Sequence, residues 1–350
     1  MFVSGEFILV STLFCLASAS PTAAISASQW PTDLKVKQLA NFGPSSWIEN
    51  LAIRHSGEVL ATELLNPRIV QVDPDGKLQP IVIHSWAEGA SAGKYIGVLG
   101  ITETRHDEFY VAVAVAGQYD ETMTLLPNST DCIFRVDMGT LEVSSTGEVL
   151  SNATVTKLTD LEGSQLVNGA TTLNEDAILV SDSYNGWVYK VDVRTGAFDV
   201  IVDDPLMKKS YAGSEGKIGV NGIKVYKGYL YWTNTDAGVL ARVKINEDGK
   251  PCGASEIVAS NLTGPDDFTL DENGAAYIAL GTLNELRVAY PGSSNRSAAV
   301  GGVTAAKFGR QHGDHHRLYL STHGGSNILS NSTAIYNGTI SYFDVPHTVW

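Results

Sequence analysis

Short apolar runs separated by turn residues repeat along most of this chain. Runs such as EVLATEL, AILVSDS and YLYWTNT are rich in β-branched, aromatic and other apolar residues. Between them lie turn sequences such as HSGE, VRTGA and NEDGK, in which Gly supplies the conformations that tight turns need. The 34 glycines are spread in the same way. The pattern predicts an all-β protein made of short antiparallel strands.

The runs fall into six copies of one repeat. Each copy opens with a small or polar residue and an apolar strand, continues through a turn into a second strand, and often ends on Val-Asp. The aligned opening residues are Glu49, Gly100, Asn168, Asn221, Asp266 and Thr304. Repeats of about 40 to 50 residues, each forming a small sheet, are typical of β-propellers. We therefore expect a six-bladed β-propeller with four-stranded antiparallel blades, in which the segment KVKQLANF completes the sixth blade and closes the ring.

The N-terminal segment predicts entry into the secretory pathway. An apolar run from Phe7 to Leu16 ends in Ala17-Ser18-Ala19, which is a small-x-small cleavage pattern. We expect a signal peptide over residues 1–19 and a single propeller domain over residues 20–350. No later run of about eighteen apolar residues occurs, so stable membrane insertion is not expected. The predicted location is the secretory lumen or the exterior.

Cysteines and sequons bear on the same compartment. Once the signal peptide is removed, Cys132 and Cys252 remain, and they either pair in a disulfide or stay as two separate buried thiols. Six Asn-x-Ser/Thr sequons are candidate glycosylation sites: Asn128, Asn152, Asn261, Asn295, Asn331 and Asn337.

The net charge of the chain indicates which class of partner to expect. With 24 Lys and Arg against 38 Asp and Glu, the net charge is −14, and no local basic cluster offsets it. Such a surface repels phosphate backbones, so nucleic acid is not an expected partner. A small molecule is the expected ligand, and the sequence does not indicate an oligomeric state.

The six openings should meet at one mouth of the central channel, because each innermost strand of a propeller starts on the same face. Four of them carry carboxylate or amide oxygens: Glu49, Asn168, Asn221 and Asp266. Such a ring suits a hard divalent cation or a floor that orients an organic ligand through hydrogen bonds. A third possibility is that the Asn-Gly pairs only satisfy backbone groups.

The ends of the second strands should line the same mouth. They offer Asp182, Asn234 and Thr322 as substrate-binding candidates, together with His323, which we prefer as a hydrogen-bond donor. The cluster at residues 311–316 resembles a metal site, but we expect it in a solvated turn on the opposite face, without a metal. Motifs of serine hydrolases, nucleotide-binding enzymes and zinc proteases do not occur.

The segments WIENLAIR, LVNGATTL, GVNGIKV and GPDDFTLDENG resemble the senescence-marker-protein/gluconolactonase family of six-bladed propellers. That resemblance implies Ca²⁺ or Zn²⁺ held by Glu49, Asn221 and Asp266, with Asn168 on the substrate side. The chain departs from the family pattern at Asn50 and Asp267, which follow the first and last of these ligands.

The opening Trp47-Ile48-Glu49-Asn50-Leu51-Ala52-Ile53-Arg54 resembles a secreted fungal branch of this fold that includes hetero-Diels–Alderases of tropolone–sesquiterpenoid biosynthesis. The resemblance implies a cyclase that joins a quinone methide to a polyene without a metal cofactor, with Glu49, Asp266 and His323 as catalytic groups. Two alternatives stay open, a metal-dependent lactonase and a non-catalytic binding propeller.

Overall fold

The computed structural model describes residues 35–44, 46–115, 130–209, 218–290, 295–324 and 337–345. Secondary structure in these ranges is β-strand apart from four single-turn 3-10 helices: Gly89–Ser91, Met138–Thr140, Pro205–Met207 and Gly281–Leu283. None of the helices in these ranges is long and apolar enough to cross a bilayer. The predicted signal peptide lies outside the described residues.

Most strands belong to four-stranded antiparallel units, each of which we call a blade. Blade 1 contains β2 (Trp47–Ile53), β3 (Val59–Leu64), β4 (Arg68–Val72) and β5 (Ile81–Ser85). Blade 2 contains β6 (Tyr95–Arg105), β7 (Glu108–Val115), β8 (Thr130–Asp137) and β11 (Thr154–Glu162). Blade 3 contains β12 (Val167–Asn174), β13 (Ala177–Asp182), β14 (Trp187–Asp192) and β15 (Phe198–Val202). A separate ribbon of β9 (Glu142–Val143) and β10 (Val149–Ser151) lies between β8 and β11 in sequence.

The second half of the chain continues in the same way. Blade 4 contains β16 (Val220–Tyr226), β17 (Tyr229–Asn234), β18 (Val239–Lys244) and β19 (Glu256–Ala259). Blade 5 contains β20 (Phe268–Leu270), β21 (Ala276–Leu280), β22 (Glu285–Ala289) and β23 (Arg296–Ala299). Blade 6 contains β24 (Val303–Phe308), β25 (Arg317–Thr322), β26 (Asn337–Asp344) and β1 (Lys37–Pro44).

Two of these units are joined into a larger sheet. Blades 1 and 2 form one eight-stranded sheet, because Leu64 of β3 pairs with Gly97 of β6. That single residue pair is the only β3–β6 pairing among the described residues, whereas full ladders connect the strands within each unit. We therefore treat the two halves of this sheet as separate blades.

Hydrophobic packing closes the blades into a ring. The innermost strands contact one another in the cyclic order β2, β6, β12, β16, β20, β24 and back to β2. Each apolar cluster of the described residues spans two neighbouring blades; one joins Phe109 of blade 2 to Leu60 of blade 1, and another joins Tyr319 of blade 6 to Val59 of blade 1. Burial of such a side chain contributes about 1.5–3 kcal/mol. The expectation of an all-β propeller is confirmed.

The N-terminal strand completes the last blade as predicted. β1 pairs antiparallel with β26, with Ala40 opposite Ile340. It covers the edge of a sheet whose other strands come from the end of the chain, and so it removes an exposed edge.

The cysteines and sequons can now be placed. Cys132 is buried in β8 and Cys252 is exposed after β18, and the structure does not join them in a disulfide. The pairing alternative is therefore wrong, and only Cys132 matches the alternative of separate buried thiols. The two residues belong to different blades, and the Cys132 thiol donates to Asp160 Oδ1 at 3.0 Å. Asn152, Asn261, Asn295 and Asn337 are exposed, whereas Asn128 and Asn331 lie outside the described residues.

Candidate functional site at the channel mouth

The aligned opening residues lie where the innermost strands are irregular. The pairing register shifts across Glu49 in β2, Asn168 in β12, Asn221 in β16 and Thr304 in β24. Just before β20, one residue of β21, Ala279, pairs with two successive residues. Its carbonyl accepts from the Asp266 N–H, and its own N–H donates to the Asp267 carbonyl. Such bulges turn a side chain away from the alternation of a regular strand. They allow these polar side chains to leave the apolar faces between blades.

Hydrogen bonds between neighbouring blades hold the openings in a ring. In each case a hydroxyl on one blade donates to a carbonyl near the opening of the next: Thr62 to Leu99 (2.6 Å), Ser181 to Asn221 (2.7 Å), Thr233 to Asp266 (2.7 Å) and Thr304 to Ile48 (2.6 Å). The last of these bonds connects blade 6, at the end of the chain, to blade 1. The structure thus brings together the ends that the alignment of repeats predicted to converge.

The glycines of the two Asn-Gly pairs are required by this close packing. A Cβ on Gly169 would lie 2.6 Å from the carbonyl oxygen of Asn221, and a Cβ on Gly222 would lie 2.7 Å from the Cα of Asp267. Asn168 and Asn221 are buried within strands rather than placed in turns. The Asn221 amide donates to the side chains of Thr235 and Asp266, so the possibility that this pair only satisfies backbone groups does not hold for Asn221.

Glu49 is a buried carboxylic acid at the start of β2. The indole N–H of Trp47 donates to Glu49 Oε2, which leaves the second carboxyl oxygen for another partner. Burial raises the pKa of Glu49 to about 7, the hydrogen bond from Trp47 lowers it, and the nearby charge of Asp267 raises it. At neutral pH a substantial fraction of Glu49 is protonated and can donate a hydrogen bond.

Asp266 and Asn221 form the second part of the site. The Nδ2 group of Asn221 donates to Asp266 Oδ1 at 2.9 Å and to Thr235 Oγ1 at 3.0 Å, which fixes the orientation of the amide. Its Oδ1 atom is buried and has no partner among the described residues. Burial, followed by the charges of Glu49 and Asp267, raises the pKa of Asp266 well above its usual range. An unpaired buried acceptor is costly, so a donor or cation brought by a ligand would be favoured here.

Asp267 follows Asp266 directly but has a different environment. Its carboxylate accepts from Lys224 Nζ at 2.5 and 2.8 Å; Asp267 is buried, and the Lys224 side chain is 12% exposed. Lys224 lies on β16, and Asp267 lies directly before β20. The ion pair is therefore near the two protonatable acids, Glu49 and Asp266. Asp267 is therefore a paired anion, and its charge raises the pKa of its neighbours.

His323 lies beside Glu49 through its contact with Trp47. The two rings stack with centroids 4.8 Å apart and planes inclined by 28°, and a backbone bridge also links the residues. Burial lowers the pKa of His323, so the ring is neutral at neutral pH. Its Nδ1 atom is buried without a partner among the described residues. The predicted donor is thus present with an unused ring nitrogen.

The other candidates from the second-strand ends make hydrogen bonds mainly to backbone groups. Asp182 accepts from the backbone amides of Gln165, Tyr184 and Asn185. Asn234 donates to the carbonyls of Leu206 and Lys208 and accepts from the Ala237 amide. Thr322 is bonded to Asn337 and Thr339. The prediction that these three residues contact substrate is not supported, because their polar groups are used in holding loops and strands together.

Two further polar clusters lie away from the mouth. In the turn at residues 311–316, the buried Asp314 accepts from the Gln311 amide and from the Tyr319 hydroxyl. Elsewhere, His55, Glu103 and His106 have the spacing of metal ligands. The guanidinium of Arg310 contacts two of them, the His55 ring at 2.8 Å and Glu103, and so it supplies a positive charge at that position.

The oxygen atoms at the mouth fit a hard divalent cation. Glu49 and Asp266 repel each other's charge, and Asn221 Oδ1 has no partner among the described residues. Two carboxylates and an amide oxygen are ligands that Ca²⁺ accepts. Zn²⁺ prefers nitrogen and sulfur ligands and fits less well.

Sequence reasoning missed Trp47 and the Lys224–Asp267 pair. Trp47 lies two residues before Glu49 in the opening of the first repeat, so its closeness in sequence was the available signal. The partner of Lys224 lies 43 residues away in another blade, and no local pattern indicates it.

The fold and site together define an all-β propeller with buried acids and an unpaired amide oxygen at the mouth of its channel. No protein-family profile matches the chain. It is similar to a protein of Phoma sp named "Putative hetero-Diels-Alderase", with 24% identity over 91% of this chain and 94% of the relative. It is equally similar, at 24% identity, to "Putative hetero-Diels-Alderase asR5" of Sarocladium schorii over 85% of this chain and 80% of the relative.

Solved structures share the fold at lower identity. A luciferin-regenerating enzyme superposes with a TM-score of 0.62 and 10% identity over 90% of this chain and 96% of its own. A calcium-binding regucalcin from Agrobacterium tumefaciens superposes with a TM-score of 0.57 and 14% identity over 89% of this chain and 96% of its own. The resemblance to propellers of this kind, and to proteins named as hetero-Diels–Alderases, is confirmed.

Proposed function

We propose that this protein is a hetero-Diels–Alder cyclase that joins a tropolone-type quinone methide to a polyene or terpene at the channel mouth. The observation that carries the proposal is a carboxyl group, Glu49, that can be protonated at neutral pH and lies beside the stacked rings of Trp47 and His323. The names of relatives that align over most of the chain support the same reaction class.

The proposed chemistry needs a hydrogen-bond donor rather than a nucleophile. As the heterodiene reacts, negative charge grows on its carbonyl oxygen, and a donor placed there lowers the barrier. Protonated Glu49 is suited to this role, because Trp47 occupies only one of its carboxyl oxygens. His323 and Asp266 are the other donors in reach of a ligand at the mouth, since burial keeps the ring neutral and favours the protonated acid.

The remaining contribution is positioning. A cycloaddition brings two reactants together without transferring a proton, so holding them in a reactive geometry lowers the barrier directly. The flat surface formed by Trp47 and His323 suits a planar quinone methide. Asn221 Oδ1 and Asn168, both at buried openings, offer polar contacts that orient the ring substituents.

The substitution Glu49→Gln tests the donor role. An amide still donates a hydrogen bond but does so more weakly than a carboxylic acid, so we expect the cyclisation rate to fall roughly tenfold. In the unmodified protein the rate should decline as the pH rises through about 7, where Glu49 loses its proton. The measurement is the rate and stereochemical purity of cycloadduct from an ortho-quinone methide, generated in situ, and a cyclic polyene.

The matched control is Glu142→Gln, which changes an exposed carboxylate on the β9–β10 ribbon. It should leave both the rate and the pH profile unchanged. In Glu49→Gln the decline near pH 7 should disappear. Racemic product formed at the rate of the buffer alone, with or without the protein, would contradict the proposal.

A metal-dependent lactonase is the second candidate, and the unpaired Oδ1 atom of Asn221 favours it. Glu49, Asn221 and Asp266 would hold Ca²⁺, which would polarise a lactone carbonyl. For this candidate Asp266→Ala should abolish activity and chelation should remove it. For the cyclase the same substitution should only weaken activity, because many contacts share the positioning, and chelation should have no effect.

A non-catalytic binding role would be the remaining explanation if the protein bound a glycan or peptide at the mouth and accelerated neither reaction. We also propose that the protein acts in the secretory lumen or outside the cell. The exposure of four sequons supports this location.

A further inference from the structure

A cavity lies at the end of the channel opposite the mouth. Its volume is about 320 Å³, and it is lined by the C-terminal ends of β2, β6, β12, β16 and β24. None of the residues of the candidate site described above lines it. It is therefore a second place where the ring of strands could hold a small molecule.

The positive and negative side chains that line this cavity are unequal in number. Glu103 and Arg310 both line it and form an ion pair with each other. Lys307 also lines the cavity, but its ammonium group makes no ion pair or hydrogen bond with any described residue. The carboxylate that could have neutralised it, Asp267, is held by Lys224. The cavity thus carries one excess positive charge in a protein whose net charge is −14.

The lining also offers apolar surface and a hydroxyl. Ile53, Ile101 and Phe308 supply hydrocarbon contacts. The Thr171 hydroxyl accepts from the Val225 amide at 3.1 Å, and its own hydrogen is not donated to any described residue. A ligand with one anionic end and an apolar body would match both parts of the lining.

We propose that this cavity binds a small organic carboxylate, whose charge pairs with Lys307 Nζ and whose apolar part contacts Ile101 and Phe308. A monoanion neutralises the single excess charge. An inorganic dianion would leave surplus negative charge beside Glu103, and it has no hydrocarbon part to contact the apolar lining. The volume suits a molecule the size of benzoate.

The ionisation of Lys307 makes the proposal testable through pH. The pKa of Lys307 is lowered to about 8, chiefly by burial and then by the charge of Lys224, with a smaller lowering from Arg310. The charges of Asp267 and Glu103 act in the opposite direction and are included in this value. A bound carboxylate favours the charged ammonium, so binding above pH 8 must take up a proton. Affinity should be nearly constant below pH 7 and about tenfold weaker at pH 9 than at pH 7.

Calorimetric titration of the full chain with benzoate, acetate and benzamide is the test. We expect saturable binding of benzoate, weaker binding of acetate and no binding of neutral benzamide. Lys307→Met should abolish benzoate binding and Lys307→Arg should retain it. Lys94→Met, which removes an exposed positive charge, should leave binding unchanged.

Other outcomes would overturn the proposal. These are equal affinity for benzamide and benzoate, undiminished binding in Lys307→Met, stronger binding of phosphate than of benzoate, or no saturable binding of either carboxylate. Because the cavity is separate from the mouth, Glu49→Gln should leave benzoate binding intact, so failure of one proposal does not decide the other.

Discussion

The acidic side chains at the two ends of the channel have pKa shifts of opposite direction. At the mouth, burial raises the pKa of both Glu49 and Asp266. The charge of Asp267 adds to this at Glu49, and the charges of Glu49 and Asp267 add to it at Asp266. At the opposite end, Arg54 donates to both oxygens of Asp107, at 2.9 and 2.6 Å. Burial alone would raise the pKa of Asp107, but Arg54 lowers it overall.

The comparison separates a candidate site from a structural feature. The same ring of strands positions both sets of acids, so the backbone does not explain the difference. A paired acid is ionised and inert, whereas an acid without a cation holds its proton to higher pH and can donate it. The mouth also contains Asn221 Oδ1 and His323 Nδ1, both without partners among the described residues. Unsatisfied groups of this kind are costly to stability and are available to a ligand.

The largest effect is expected from Lys224→Met, which would leave Asp267 buried without its cation. Removing one member of a buried ion pair costs roughly 3–5 kcal/mol of unfolding free energy. Denaturant unfolding of the purified protein would measure it. Lys77→Met breaks the exposed pair with Asp75 and should leave the unfolding midpoint unchanged. Equal effects in the two variants would mean that the channel pair is screened like a surface pair.

A smaller effect of opposite sign is expected from Glu49→Gln. Because burial raises the pKa of Glu49 from 4.5 to about 7 in the folded state, the stability contributed by its protonated form is fully present below about pH 4.5 and is lost as the pH rises from there through about 7. At pH 8 the substitution should therefore stabilise the fold by roughly 2 kcal/mol, with little change at about pH 4. Thermal unfolding at the two pH values would show this. A loss of stability at pH 8 would mean that the ionised form is well solvated.

The smallest effect is expected from Arg310→Met at the opposite end. Arg310 is partly exposed and its pair with Glu103 is only half-buried, so the loss should be about 1 kcal/mol or less at pH 8. Denaturant unfolding beside Glu49→Gln gives the direct comparison. A large destabilisation would show that the contacts of Arg310 with Ile53 and His55 hold blades 1 and 6 together.

Much of the architecture could be predicted from local patterns. The repeat of apolar strands and Gly-containing turns indicated small antiparallel sheets, and the run before the first repeat indicated the closing strand β1. Alignment of the repeats also placed Glu49, Asn221 and Asp266 at one end of the ring. Position within a repeat is a local property, so it carries over directly to position in the blade.

The sequence says least about which groups a side chain meets in the folded chain, whether they come from its own blade or from another. Asp182, Asn234 and Thr322 were expected to face a ligand, but backbone groups from adjoining segments use their hydrogen-bonding capacity. Cys132 and Cys252 were a candidate pair by count alone, but they belong to blades 2 and 4 and form no disulfide with each other. No spacing in the chain gives the distance between two strands of different blades.

The order of strands, the closing N-terminal strand and the polar character of the openings were thus determined by the sequence alone, because strand propensity and turn chemistry act over a few residues. The tertiary structure decided which acid forms an ion pair with a cationic side chain. Lys224 reaches Asp267 and leaves Asp266 protonatable, although the two acids are adjacent in the chain. The physical reason is that ionisation depends on burial and on charges brought from other blades, which no local pattern specifies.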